Sequence, residues 1–371
     1  MSAVLRWQNT LWHALMRNGD IRSHAILLKG RKGIGKFSFA RFFAKSLLCK
    51  NPLDHRACGQ CVSCNWFEQH THPNFVAVLP ETMLSVETVS SSQTTAVQSE
   101  SEGHPSGDSP VKRKPSQHIS ISQIRALDDF VYLSGHQSGH KIVLIYPAET
   151  MNSAASNALL KKLEEPPEQV LFILVSHRSH RLLPTVRSRC QQIAMPVPDT
   201  ETALAWLQQQ IKVSSGQLLN GNTGVNQLRA LLALSGYSPF EALAFAESDT
   251  QHRQFIDVIR NPDRFDPLAV AEMQQNLDLI MTVEWLQKWC YDLLIFGAAG
   301  IIRYHPDCEM HIRALCQRTT PHAVLAYLRF LNTRQALAYH PLQAKLFLEE
   351  ILIHYAELFT PVLFGLTRDA V

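Results

Sequence analysis

At 371 residues and 46% apolar content, the chain is too long for one hydrophobic core, and two or three domains are expected. Its 35 basic and 32 acidic residues leave a net charge of +3, compatible with nucleic acid nearby but far from demanding it. The start, Met1 to Asp20, has no apolar signal region, and the longest apolar run, Leu293 to Ile302, is too short to span a bilayer and reads as a buried helix. Eight cysteines in a long chain without an export signal argue against a disulfide framework and for a reducing, cytoplasmic setting.

Leu5, Leu11, Trp12, Leu15 and Met16 fall at helical spacing and predict an amphipathic opening helix. Ala25 to Leu28 has strand length. The loop Gly30-Arg31-Lys32-Gly33-Ile34-Gly35-Lys36-Phe37 follows at once, and then a helical stretch from Phe37 to Leu48. Strand, glycine loop and helix are the setting of a phosphate loop, in which glycines free the backbone and Lys36 meets phosphate. A complete loop carries Ser or Thr next, to bind magnesium. Here that position is Phe37, and Ser38, one residue late, points roughly 100° away on the helix.

Cys49, Cys58, Cys61 and Cys64 follow, spaced x8, x2, x2. Four thiolates suit tetrahedral zinc, and a closed shell argues for a structural ion; buried or redox-active thiols are the alternative. With the shell filled by sulfur, His55, His70 and His72 are read as surface histidines. Cys190, Cys290, Cys308 and Cys316 lack such spacing and read as small core residues.

Phe75 to Leu79 predicts a strand. Thr82 to His118 is Ser-, Thr-, Gln-, Glu-, Gly- and Pro-rich and reads as a disordered surface insertion. A helix is expected over Ile121 to Leu133, then a strand over Lys141 to Ile145 with no polar alternation, as in a parallel sheet buried on both faces. In a working ATPase that strand would end in Asp-Glu; this chain has Tyr146-Pro147, and Glu149 reads as a surface loop residue. Asn152 or Ser153 caps a helix to Leu163, which Pro166-Pro167 ends, and Val170 to Val175 is the next strand. The alternation of strands and helices predicts a three-layer α/β domain. The loop beyond holds Arg178, Arg181, Arg187 and Arg189, either a solvated basic face or a guanidinium donor to a phosphate across a subunit boundary. After Pro196-Val197-Pro198 only helical patterns remain: Glu201 to Ile211, Gln227 to Leu234, Phe240 to Glu247, then more between Val270 and Phe296, Ala314 and Leu331, and Leu342 and Phe359. No internal repeat is visible.

Several of these stretches occur together elsewhere: Ser23-His24-Ala25, the degenerate glycine loop, the four-cysteine knuckle, His72-Pro73-Asn74, the block Asn157 to Pro167 (NALLKKLEEPP), and Ser188-Arg189-Cys190. On them the chain resembles the AAA+ subunits of the bacterial DNA polymerase III clamp loader, from about Arg22 to Met195; the helical remainder fits in length and texture. The resemblance implies a P-loop (AAA+) α/β domain over 1–197 with a zinc knuckle at 49–64 and the insertion at about 82–118. A helical lid over 198–248 and an all-α collar over 249–371 for oligomerisation would follow.

It also implies roles. Ser188-Arg189-Cys190 would be an interface motif, with Arg189 an arginine finger in a neighbour's ATP site. Gly30, Gly33, Gly35 and Lys36 would be a degenerate nucleotide site without functional ATP or magnesium chemistry of its own. Motor subunits of the family keep the magnesium hydroxyl, the Asp-Glu pair and a lid arginine. Here those places hold Phe37, Tyr146-Pro147 and, near Ser238-Pro239-Phe240, no arginine. The implied function is a non-hydrolysing scaffold subunit in DNA replication, part of a nucleotidyltransferase holoenzyme, that helps load the sliding clamp on primed DNA. The implied partners are the ATPase motor subunit and the delta subunit in a hetero-pentamer, with clamp and primer–template DNA met through the complex and no membrane. Two other readings stay open: an ATP-hydrolysing motor subunit of the same assembly, and a zinc-dependent nucleic-acid-binding module.

Overall fold

The computed structural model describes residues 4–16, 23–83, 115–132, 140–215, 222–274, 278–335, 337–339 and 343–359. The chain forms two compact units, Met1–Asp199 and Thr200–Val371.

The first unit is built on five parallel strands: β1 (Ala25–Lys29), β2 (Phe75–Val78), β3 (Lys141–Ile145), β4 (Val170–Ser176) and β5 (Gln191–Ala194), in the order β2-β3-β4-β1-β5. The register pairs Ile26 with Ile173 and Val143 with Phe172, so apolar residues line up across the sheet. Side chains alternate between faces with period two. Ile26, Leu28, Ile142, Leu144, Ile173 and Val175 pack with Trp12, Phe39 and Phe43 on one face. Ala25, Leu27, Val143, Ile145, Phe172 and Leu174 pack with Leu159, Leu163 and Val186 on the other. Burial on both faces explains the unbroken apolar runs read in the sequence. Strand β5 escapes that reading because Gln191-Gln192-Ile193-Ala194 is an edge strand with no buried residue; pairing with β1 defines it.

Three local expectations are corrected. The helix expected over Ile121 to Leu133 is two shorter ones, Ile121–Arg125 and Leu127–Tyr132, meeting at Ala126; Leu133 lies outside the described residues. The insertion begins and ends in ordered backbone. Thr82 N–H donates to the Ser116 carbonyl at 3.2 Å and Ser116 N–H donates to Glu81 Oε2 at 2.8 Å, so chain leaves and returns at one place. Its residues 84–114 lie outside the described residues. Within Leu293 to Ile302, helix Leu279–Ala299 ends at Gly300 in a left-handed conformation, residues 297–300 are exposed, and so is Ile301. Leu293 is core and Leu294, Phe296 and Ile302 pack half-buried against it.

The second unit is helical throughout its described residues. Leu204, Leu207, Leu228 and Leu232 centre one cluster, from helices Thr200–Ser215, Asn222–Leu234 and Pro239–Phe245. A larger cluster from Phe255 onward is centred on Trp285, Leu286, Trp289, Leu348 and Tyr355. Among the described residues no helix is long and apolar enough to cross a membrane.

Inside the larger cluster lies a buried polar chain. Asp292, with no exposed surface, accepts from the backbone N–H groups of Arg303, Tyr304 and His305 and from His305 Nδ1 at 2.8 Å. His305 Nε2 lies 3.4 Å from His252 Nε2. A buried carboxylate is tolerated only when hydrogen-bonded, and these four contacts also fix the chain turn after Gly300. Burial, then the charges of His305, Lys288 and Arg253, push His252 down to about 3.

The unfolded chain therefore takes up a proton below about pH 6.5 that folded His252 refuses, so stability falls as pH drops below that value. Urea unfolding at pH 7, 6 and 5 is expected to show His252→Gln flattening the acid slope by up to about 1.4 kcal/mol per pH unit relative to wild type.

Candidate nucleotide, arginine and metal sites

The glycine loop leaves the carboxyl end of β1, and Gly35, at φ 84°, turns it into helix Lys36–Leu48. A side chain at Gly33 or Gly35 would meet the steric cost of positive φ. The loop is held from within. Lys36 is buried, and its Nζ donates to the Gly30 carbonyl at 2.8 Å and to the Arg31 carbonyl. Gln8 Nε2 donates to the carbonyls of Ile34 and Gly35, and Trp7 Nε1 to Ile34. The lysine that would meet phosphate thus bonds its own loop. Gln8 and Trp7 went unnoticed in the sequence because nothing in their spacing links them to residues 26 or more positions away.

Aromatic rings stand where magnesium chemistry would be. Phe37, in place of the metal-binding hydroxyl, stacks on Tyr146, in place of the acidic pair, with centroids 4.4 Å apart and planes at 24°. Tyr146 in turn meets the edge of His177, just past β4, at 5.4 Å. Burial and the nearby Lys36 charge push His177 down to about 4, so it is neutral near pH 7. Glu149 is half-buried, correcting its reading as a surface residue: Oε1 accepts from the backbone N–H of His177 at 2.9 Å and of Arg178 at 3.2 Å. It braces the end of β4.

Arg189 follows helix Pro184–Ser188, whose Val186 is fully buried. Its Nη1 donates to the Thr185 carbonyl at 3.0 Å, and its Nη2 lies 2.7 Å from Glu164 Oε1, with 35% of the side chain exposed. No hydrogen bond or ion pair joins it to the glycine loop among the described residues. Arg178 and Arg181 are exposed and Arg187 half-buried; of the four, Arg189 is the one held in an ion pair. Ser188 is exposed, while Cys190 is buried and its thiol pushed up to about 12 by burial, which keeps it protonated and inert.

The knuckle brings its four cysteines together. All four Sγ atoms lie within 4.8 Å of one another, with separations of 3.5 Å (Cys49–Cys58), 3.8 Å (Cys49–Cys61) and 4.0 Å (Cys58–Cys64). A tetrahedral ion with metal–sulfur bonds of about 2.3 Å requires sulfur–sulfur edges of about 3.8 Å, so the cluster fits one zinc-sized ion. Three backbone N–H groups point at these sulfurs: Cys58 to Cys49, Cys61 to Cys58 and Cys64 to Cys61. Burial pushes the Cys61 thiol up, but the N–H groups of Cys64 and Lys50 and the neighbouring thiols outweigh it and bring it down to about 6.

His72 is not a surface residue. It is buried, accepts from Asn74 N–H at Nδ1 and so donates from Nε2 to Ser63 Oγ at 2.9 Å; Ser63 in turn donates to the Leu48 carbonyl. This chain fastens the knuckle to the edge strand β2. His55 and His70 are exposed, as expected.

The model for the family described as "DNA polymerase III, delta subunit" matches residues 8–199, more than half of the chain. DNA polymerase III subunit delta' of Pseudomonas aeruginosa is 30% identical over 96% of this chain and 99% of its own length. The chain belongs to the delta prime family of DNA polymerase III subunits. Within that family, subunit delta' of Haemophilus influenzae is 29% identical over 79% of this chain and 78% of its own. Among solved structures, a DNA polymerase III gamma-subunit-related protein of Thermotoga maritima aligns over 95% of this chain and 100% of its own, at 16% identity and a TM-score of 0.39. The delta prime relationship covers the α/β unit in which the loop, the knuckle and Arg189 all lie.

Protein purified without chelators is expected to carry about one zinc per chain by elemental analysis. Cys58→Ser or Cys64→Ser should lose it and melt at lower temperature, because binding at a structural zinc site is folding free energy. Stoichiometric zinc in both variants would remove the four-cysteine site.

Proposed function

We propose that this chain is a clamp-loader subunit that hydrolyses no ATP itself and completes the ATP site of a neighbouring motor subunit with Arg189. Family membership supports the assembly. The observation that carries the non-hydrolysing half is the state of the glycine loop: Lys36 bonds Gly30 and Arg31, and the Phe37–Tyr146 stack fills the place of the magnesium ligands. Phosphoryl transfer needs a metal held between phosphates and an acidic residue to hold it, and positions 37 and 146–147 carry neither a hydroxyl of Ser or Thr nor a carboxylate.

Arg189 supports the second half. An arginine finger must be exposed, planar and always charged, to meet charge that develops on the transferring phosphoryl group. Arg189 is always charged and planar, keeps 35% of its side chain exposed, and directly follows a short helix packed against the α/β core. In this reading 198–248 is the lid, 249–371 forms the collar, the four cysteines hold structural zinc, and other loader subunits, delta included, are the partners. The chain meets the clamp and primed DNA through the complex and works in the cytoplasm. The low net charge favours this over a free-standing nucleic-acid module, which would need a basic, aromatic surface.

DNA- and clamp-stimulated ATPase of a reconstituted loader tests it. Arg189→Ala is expected to lower the rate by about 10³-fold at the one site it completes, read as loss of that site's share of turnover. Lys36→Ala should leave ATPase unchanged and lower only the melting temperature of the chain. An intact rate with Arg189→Ala in a fully assembled complex would remove the finger; a loss with Lys36→Ala would mean the chain's own site works.

A further inference from the structure

Of the arginines in the loop after β4, Arg189 alone is tied to a carboxylate, and the position of that carboxylate is informative. Glu164 is the last residue of helix Ser153–Glu164. This helix end is fixed: Leu159 and Leu163 are buried in the core, Lys162 pairs with Asp128, and Pro166-Pro167 follow. On the other side, Val186 and Cys190 anchor the segment carrying Arg189, and β5 begins immediately afterward, hydrogen-bonded to β1. The Arg189–Glu164 pair therefore joins two rigid elements, unlike an ion pair between mobile side chains.

The contacts also have a direction. A guanidinium has five N–H donors. The Thr185 carbonyl takes one from Nη1, and Glu164 Oε1 takes one from Nη2. Three donors remain on a side chain that is 35% exposed. A long arginine free in solvent samples many rotamers, and each must be given up when it engages a phosphate. Held at Nη1 and Nη2, Arg189 has already given up many of them while 35% of its side chain stays exposed.

We propose that Glu164 is a positioning residue for Arg189: it pre-orients the guanidinium for a phosphate of a neighbouring subunit and touches neither nucleotide nor metal itself. This rests on the reading of Arg189 as a donor in trans. Glu164 acts on the transition state of the neighbour's reaction through Arg189, so its removal changes kcat at that site and leaves ATP affinity alone.

The test is the steady-state ATPase of the reconstituted loader, with clamp and primed DNA, for Glu164→Gln, Glu164→Ala, Arg189→Ala and the double variant Glu164→Ala/Arg189→Ala. Glu164→Ala is expected to lower kcat at the completed site by up to about fivefold, the equivalent of about 1 kcal/mol for a partly exposed ion pair. Glu164→Gln, which keeps an acceptor oxygen, should lose less. KM for ATP and the assembly state by light scattering should stay as in wild type, and Glu164→Ala should have no further effect once Arg189 is Ala. Loss with Arg189→Ala but an unchanged kcat with Glu164→Ala overturns the positioning role and leaves the finger standing. A higher rate with Glu164→Ala overturns it as well, since the pair would then restrain the finger. An equal loss with Glu164→Ala in wild-type and Arg189→Ala backgrounds makes Glu164 merely structural. No effect of Arg189→Ala itself defeats the finger reading on which the proposal stands.

Discussion

Burial of a parallel sheet on both faces is the constraint on which the rest of the first unit depends. Strands β1, β3 and β4 carry large apolar side chains toward both layers, so helices must cover both faces and every connection must cross from one end of the sheet to the other. The loops that leave the carboxyl ends of these strands are the glycine loop after β1, Tyr146-Pro147 after β3 and His177 after β4. Side chains from three distant stretches of sequence therefore meet at one edge. In open α/β sheets this edge is where ligands bind.

At that edge the glycine loop turns into helix Lys36–Leu48, with Phe37 and Tyr146 stacked beside it. A buried ammonium without partners would cost several kcal/mol, and the Gly30 and Arg31 carbonyls accept from Lys36. A stacked aromatic pair adds about 0.5–1.5 kcal/mol beyond its area. The Phe37–Tyr146 stack thus stabilises this end of the sheet, with both rings half-buried against the core.

The knuckle and the arginine segment hang on the same frame by short polar links. The Leu48–Ser63–His72–Asn74 chain ties the knuckle to the sheet edge through three hydrogen bonds, each group in it satisfied. The Glu164–Arg189 pair links the end of one covering helix to the segment that leads into β5. In the first place the linking side chains, Ser63 and His72, are buried; in the second, Glu164 is exposed and Arg189 half-buried.

The amino-acid pattern sufficed for the class of the first unit, the helical character of the second and the grouping of four cysteines able to hold a metal. Unbroken β-branched runs, glycines ahead of a lysine, and x2 cysteine spacing are local signals with a direct physical cause. It also showed, through Phe37 and Tyr146-Pro147, that the phosphate loop lacks its metal ligands. Tertiary structure alone decided the rest. Strand β5 is polar and exists by pairing with β1; Glu149 and His72 look like surface residues until packing half-buries the first and buries the second; Gln8 reaches the loop across 26 positions. The partner of Arg189 was equally hidden, because Glu164 lies 25 residues away on a different helix. Periodicity reports which face of an element is apolar. Which polar atoms then find each other depends on how those faces are stacked, and no local pattern carries that.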